Sequence, residues 1–422
     1  MLMKAIRQVT HSRFARQVGV LAGGTAVAQV IMMLSLPVLT RIYSPQDFNL
    51  LAAYASALGL LSVAACLRFN IAIPLPEEDR TAFHLLLLSL ASGGLLAFFL
   101  ILPVALMPAA IAELLGQPAL KPFLWMLPLG VFLAAAYDAL QYWSSRQRRF
   151  AQVARSRVTR AIGGVGTQAC VGLATPGPMG LLLGHMLLSG LGFLSLALSF
   201  WREDRIVATK TLPADLREAA TRYRQFPLYS VPEALFNTAG LEISILIIAA
   251  MAIGPDAGFL MLAMRVLGIP MMLVGTSVAQ VYLTEAPEKL RLGELVLFTR
   301  RTMWTMAKVG APLLALAAFV SPFLFPYIFG AAWAPAGIMV LWLAPMFLLQ
   351  FIASPILVIL HVTDRLPTAM WLQFGGGFFR IVSIVVAAKL FPAYLVEVFA
   401  ITSALFYLSN ILVVQRLIRK LT

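Results

Sequence analysis

Residues 39–61 read LTRIYSPQDFNLLAAYASALGLL, and residues 248–270 read IAAMAIGPDAGFLMLAMRVLGIP. In each passage an apolar run ends in a proline–acid turn, Pro45-Gln46-Asp47 or Pro255-Asp256, before small residues and an aromatic open the next apolar run. Turn chemistry of this kind between long apolar blocks marks the tip of a helical hairpin. Pro45 and Pro255 lie 210 positions apart in a chain of 422 residues, which is half its length. Later apolar blocks keep roughly the same offset, 123 against 336 and 158 against 369. A hairpin repeated at half-length predicts two six-helix halves in the same orientation, related by a pseudo-twofold axis along the membrane normal.

Composition agrees with this reading. The chain is 60% hydrophobic and 12% charged, with a mean hydropathy of +0.88. Soluble domains carry roughly 25% charged residues, so this chain cannot cover a water-facing surface. A soluble enzyme, a disordered chain and a disulfide-rich secreted module are excluded. Each membrane span needs about 20 apolar residues. Spans are predicted near 18–40, 48–67, 82–107, 123–142, 158–175 and 178–200, then 227–250, 257–283, 302–328, 336–360, 369–390 and 394–415. The apolar run from Val18 to Thr40 is too long for the h-region of a cleaved signal peptide and is expected to stay as the first span. The expected division is an N-terminal bundle over 1–200, a linker loop over 201–226 and a C-terminal bundle over 227–422.

The net charge is +14, but Lys and Arg are confined to short segments between apolar blocks, which argues against nucleic acid as a partner. With twelve spans and a cytoplasmic N-terminus, 26 of the 32 basic residues fall on the cytoplasmic side; only Arg41, Lys121 and Lys389 fall on the other. That asymmetry predicts cytoplasmic termini and a cytoplasmic 201–226 loop. Cys66 and Cys170 lie in apolar blocks and the four histidines are far apart, so neither a disulfide nor a metal site is expected.

Ionisable residues inside spans carry the functional signal. Glu242 and Arg265 lie symmetrically about position 253.5, within the turn from Met251 to Pro255, each roughly 17 Å from that point and so near mid-bilayer. Arg380 is also near mid-depth, Asp138 and Lys308 lie closer to the cytoplasmic surface, and Arg68 is at that surface. Two readings stand side by side. Glu242 and Arg265 neutralise each other inside a bundle, or Arg265, Arg380, Arg68, Arg41 and Lys308 belong to a cationic, water-filled cavity with Glu242 and Asp138 as coupling groups or charge partners. Pro227, Pro232 and Pro270 interrupt spans as static kinks or as hinges. Tyr137, Tyr142 and Trp143 near one end, and Tyr327 and Trp333 near the other, fit an interfacial aromatic belt.

Four strings carry a family resemblance: LPVLTRIYSPQDFNLLAAYAS (36–56), LRFNIAIPLPEEDRTA (67–82), YRQFPLYSVPEALFN (223–237) and MLAMRVLGIPMMLVGTSVAQVYLTEA (261–286). They resemble the Wzx-like polysaccharide flippases of the multidrug/oligosaccharidyl-lipid/polysaccharide exporter superfamily. The resemblance implies an all-α, polytopic membrane protein of about twelve helices, two six-helix bundles in a V around a central cavity. It also implies export of an undecaprenyl-pyrophosphate-linked oligosaccharide across the bacterial inner membrane for O-antigen, capsule or exopolysaccharide. Membrane lipids, and the polymerase and chain-length proteins of the same pathway, would be its other partners. Family members often carry Gly after Asp-Phe and an acid after the Arg-aromatic pair, where this chain has Asn49 and Asn70. No Walker A string occurs, so a H⁺ or Na⁺ gradient is the expected energy source and no cofactor is expected. The rival readings are a drug or organic-cation exporter of the same superfamily and a membrane glycosyltransferase or polymerase. The first would need intramembrane carboxylates, and mid-depth charge here is mostly Arg; the second would need acidic catalytic residues on a sizeable non-cytoplasmic loop.

Overall fold

The computed structural model describes residues 2–204, 213–357, 359 and 366–419, and no strand occurs among them. Twelve long helices account for the twelve expected spans: α1 (Leu2–Ile42), α2 (Pro45–Ala65), α3 (Asp79–Leu106), α4 (Met126–Arg146), α5 (Phe150–Ala174) and α6 (Met179–Glu203, with a break at Leu191). They continue with α7 (Val231–Met251), α8 (Asp256–Arg291), α9 (Leu295–Phe329), α10 (Ala334–Ile356), α11 (Leu366–Leu390) and α12 (Leu395–Arg419). Among the described residues, nine helices are long and apolar enough to cross a membrane. The other three, α4, α5 and α8, hold Asp138, the pair Arg157 and Arg160, and Arg265.

The turn before α2 shows how local chemistry starts a helix. Ser44 Oγ donates to Asp47 Oδ2 at 2.8 Å, and the Asp47 amide donates back to Ser44 Oγ at 3.2 Å. With Pro45 as the first helical residue this forms a reciprocal capping box, which satisfies amides that the helix cannot.

Several helices extend past the expected spans, among them α1, which begins at Leu2, and α9, which begins at Leu295, and one such boundary bears on the site. The fifth span was expected from 158, with 143–160 as a basic cytoplasmic segment, but α5 begins at Phe150 and only residues 147–149 separate it from α4. Arg157 and Arg160 therefore lie on a helix, because both find partners within the bundle (below).

Contacts divide the chain into two units. Unit 1 comprises Met1–Ser35, Ala57–Leu114 and Pro118–Leu235; unit 2 comprises Leu36–Ser56, Leu115–Gln117 and Phe236–Thr422. This differs from the expected halves, since the tip of the α1–α2 hairpin packs into unit 2. Trp333 explains why: its Nε1 donates to the Thr40 carbonyl at 3.0 Å, and its ring meets Phe48 edge-on at 4.8 Å and Phe259 at 5.9 Å. Trp333 is thus core, not part of an aromatic belt; Tyr327, 81% exposed, is placed as a belt residue would be. In the expected 201–226 loop, residues 205–212 lie outside the described residues. The rest ends α6 and forms a short helix, Pro213–Arg222, tied to the start of α3 by an ion pair from Arg80 to Asp215 at 2.8 Å.

Unit 1 is centred on Trp143, Tyr137, Phe83 and Leu140, all buried. Trp143 and Tyr137 were expected in an interfacial belt, and burial of their rings corrects that. Close approach of α5 and α6 requires glycine: a Cβ on Gly184 would strike the Gly164 carbonyl and Gln168. Unit 2 has its own core around Tyr282, Leu295, Ile356 and Val414.

Candidate functional site

In unit 1, α2, α4 and α5 bring four charges together. After α2 the chain turns through left-handed backbone at Leu67 and Arg68, with φ of 47° and 61°. Two consecutive non-glycine residues there hold strain of about 1–3 kcal/mol each. The turn brings Arg68 toward Asp138 of α4, which also interacts electrostatically with Arg160 and Arg157 of α5. Asp138 stands eight residues before the end of α4 at Arg146, about 12 Å along the helix. It remains accessible, and the three arginines are half-buried.

Each arginine has a defined seat. Arg157 donates from Nε and Nη2 to Gln141 Oε1, at 3.3 Å each, and from Nη1 to Thr25 of α1. Arg160 lies 4.6 Å from the centre of the Tyr137 ring, and the Tyr137 hydroxyl is 3.2 Å from Ser156 Oγ. Arg68 Nε is buried without a hydrogen-bond partner among the described residues. Three guanidiniums lie within electrostatic reach of one carboxylate, so the cluster carries excess positive charge and an unused donor. That chemistry suits a multivalent oxyanion, which guanidiniums bind through paired, charge-assisted hydrogen bonds.

A scaffold at the same end holds the cluster in place. Arg146 donates to the carbonyls of Ile73, Pro74 and Pro76, to that of Glu77 at 3.0 Å, and to Asp79 Oδ1 at 3.0 Å, which pins the segment between Arg68 and α3. Arg149 makes a two-pronged pair with Asp204, 2.7 Å on one side, while Trp143 Nε1 donates to the same carboxylate at 2.8 Å. The Asp204 hydrogen bond holds the Arg149 pKa above its ordinary value.

Unit 2 treats its expected site residues differently. Glu242 accepts a hydrogen bond from Ser56, and among the described residues it makes no ion pair with Arg265. The expected mutual neutralisation is therefore corrected: equal depth on two adjacent helices does not make the side chains face each other. Arg265 is half-buried without an ion pair among the described residues. Arg380, 5% exposed, lies over the rings of Phe406 at 5.1 Å and Phe399 at 5.8 Å and bonds to Tyr407, which bonds to Gln350. It packs between α11 and α12, where the π faces of Phe399 and Phe406 attract the guanidinium through their ring quadrupoles. Arg41 and Lys308 are both exposed. Pro227 sits in a π-helical turn, Phe226–Ser230, Pro232 at the start of α7, and Pro270 within α8.

Sequence reasoning passed over Arg157 and Arg160 because they were counted as loop. Their spacing of three, followed by Ala161 and Gly164, was the available signal of one helix face.

The family described as polysaccharide biosynthesis protein matches residues 38–337. The chain belongs to this family. No curated protein matches it. Among solved structures, a lipid II flippase MurJ in an inward closed conformation aligns with a TM-score of 0.71, at 14% identity, over 94% of this chain and 90% of that one. A point mutant of the Vibrio cholerae MATE transporter VcmN aligns at 0.63 and 10% identity over 97% of this chain and 98% of its own. A MOP superfamily transporter from Pyrococcus furiosus aligns at 0.58 and 13% identity over 96% of both chains. Identities this low show the fold alone, and the fold is that of the MOP transporters and flippases.

Proposed function

We propose that the protein flips an undecaprenyl-pyrophosphate-linked oligosaccharide from the cytoplasmic to the periplasmic leaflet of the bacterial inner membrane, driven by a H⁺ or Na⁺ gradient. The observation that carries this reading is the Arg68–Arg157–Arg160 cluster around Asp138, with a buried guanidinium donor unused. A pyrophosphate bearing sugars cannot enter hydrocarbon, since desolvating its charge without partners is prohibitive. Guanidiniums set below the membrane surface replace the lost water, while the polyprenyl tail stays among lipids. Family membership supports a substrate from polysaccharide assembly, and the MurJ-like fold supports a lipid-linked one. Within unit 2, Arg265, half-buried and without an ion pair among the described residues, is proposed as a cation on the substrate path, and Glu242 as the coupling carboxylate.

Complementation of a flippase-null strain, with membrane abundance measured alongside, tests the assignment together with polyprenyl pyrophosphate binding to purified protein. Restored surface polysaccharide, and binding weakened about ten- to a hundredfold by Arg160→Ala, are expected. Failure to complement any polysaccharide pathway, with binding indifferent to the cluster, would overturn it.

A further inference from the structure

Unit 2 contains a second feature that the flipping of a sugar lipid does not use. A cavity of about 390 Å³ lies among α9, α10 and α12, lined by Arg300, Met303, Trp304, Ala307, Leu408 and Gln415, among others. On α9 the lining residues fall at positions 300, 303, 304 and 307, one face of one helix. On α12 they fall at 408, 411 and 415, again one face. The ninth and twelfth spans run in opposite directions, so Arg300 and Gln415 share one end while Ala307 and Leu408 share the other. The groove thus runs from a cationic, hydrogen-bonding mouth to an apolar floor over about 10 Å, seven residues of helical rise.

We propose that this groove holds one anionic phospholipid of the cytoplasmic leaflet, with its phosphate at Arg300 and Gln415 and an acyl chain against Trp304, Ala307 and Leu408. Charge complementarity supports that occupant. Arg300 makes no ion pair among the described residues, and Arg301 and Arg416 are exposed beside the mouth. Basic residues at the end of a span recruit anionic headgroups. Trp304 is 65% exposed one helical turn below Arg300, where an amphipathic ring anchors at the headgroup level. The volume lies in the range of small-ligand sites, about 300–1,000 Å³. The depth is less than the ~15 Å of one hydrocarbon leaflet, which suits a phospholipid chain rather than a long polyprenyl tail.

Quenching of Trp304 by acyl-brominated lipid reads the groove directly. The Trp304 signal is taken as full-length protein minus Trp304→Phe, reconstituted in bilayers of phosphatidylcholine with increasing brominated phosphatidylglycerol or brominated phosphatidylcholine. About 1 kcal/mol per basic residue corresponds to about a fivefold preference. Half-quenching is therefore expected at about fivefold lower mole fraction of brominated phosphatidylglycerol. Arg300→Gln should abolish that preference and Arg300→Lys should keep most of it. Should Arg300→Gln not fold, Gln415→Glu, which places a negative charge at the mouth, must lose the preference too. Equal quenching by both lipids, or a preference that survives Arg300→Gln and Gln415→Glu, overturns the proposal. So does relief of quenching by polyprenyl pyrophosphate at mole fractions where unbrominated phosphatidylglycerol has no effect.

Discussion

Asn49 of the first proline–acid turn caps the second: its Oδ1 accepts the Ala257 amide at 3.1 Å, and its Nδ2 donates to the Ala249 carbonyl at 3.4 Å. The two halves of the sequence repeat therefore touch at their equivalent turns, Pro45 against Gly258. A glycine at this position would have no side chain to make these bonds. Asn49→Ala should destabilise by about 1–3 kcal/mol, because a buried amide and carbonyl lose their partners. Asn49→Asp keeps the acceptor but loses the donor and sets a buried carboxylate oxygen against the Ala249 carbonyl, so it should cost at least as much. Thermal unfolding of the two variants in detergent, both melting below the parent protein and Asn49→Asp no higher than Asn49→Ala, checks this.

Arg160 is held over Tyr137 and beside Asp138 without an ion pair of its own among the described residues, so its charge remains available to a ligand. Arg160→Ala should lower pyrophosphate-lipid affinity ten- to a hundredfold, the loss of a charge-assisted contact worth about 1.5–3 kcal/mol, at normal abundance in the membrane. Arg160→Lys should recover part, because it keeps the charge without the planar fork. Lipid titration of purified protein reads both.

Glu242→Gln separates coupling from structure. The amide still accepts from Ser56, so insertion and yield should match the parent protein. If Glu242 carries the coupling ion, export then loses its dependence on the gradient. Proteoliposome transport with and without an imposed proton or sodium gradient distinguishes the outcomes, and unchanged gradient dependence removes Glu242 from the mechanism.

Arg149→Ala leaves the buried Asp204 carboxylate with Trp143 as its remaining donor. The arginine side chain is 20% exposed, so the cost is set below that of a fully buried pair, at about 2 kcal/mol. Asp204→Asn should cost less, since the Trp143 bond survives. Abundance and melting temperature of the two variants give the comparison.

Ser44→Cys and Arg222→Cys, in a background without Cys66 and Cys170, should react with impermeant thiol reagents from opposite sides of the membrane. Labelling from the same side would break the orientation drawn from the basic residues.

Much of this molecule is legible in one dimension. Nine of the twelve long helices follow from apolar run length alone, because a helix crossing hydrocarbon must bury about 20 residues regardless of its neighbours. The start of α2 follows from Ser44, Pro45 and Asp47, whose capping contacts reach only three residues. The half-length repeat follows from matching turns.

Rotation about each helix axis was not legible. Glu242 and Arg265 share a depth that can be counted along the chain, yet packing turns Glu242 to Ser56, and turns Arg380 onto Phe399 and Phe406. Arg157 and Arg160 looked like loop because charge ends an apolar run. Only the packing of α5 against Gln141, Thr25 and Tyr137 makes it stable to continue that helix through them. Depth in a membrane is a property of the chain's own hydropathy, whereas the partner of a buried charge is a property of the neighbouring helix, and only the tertiary structure decides which neighbour that is.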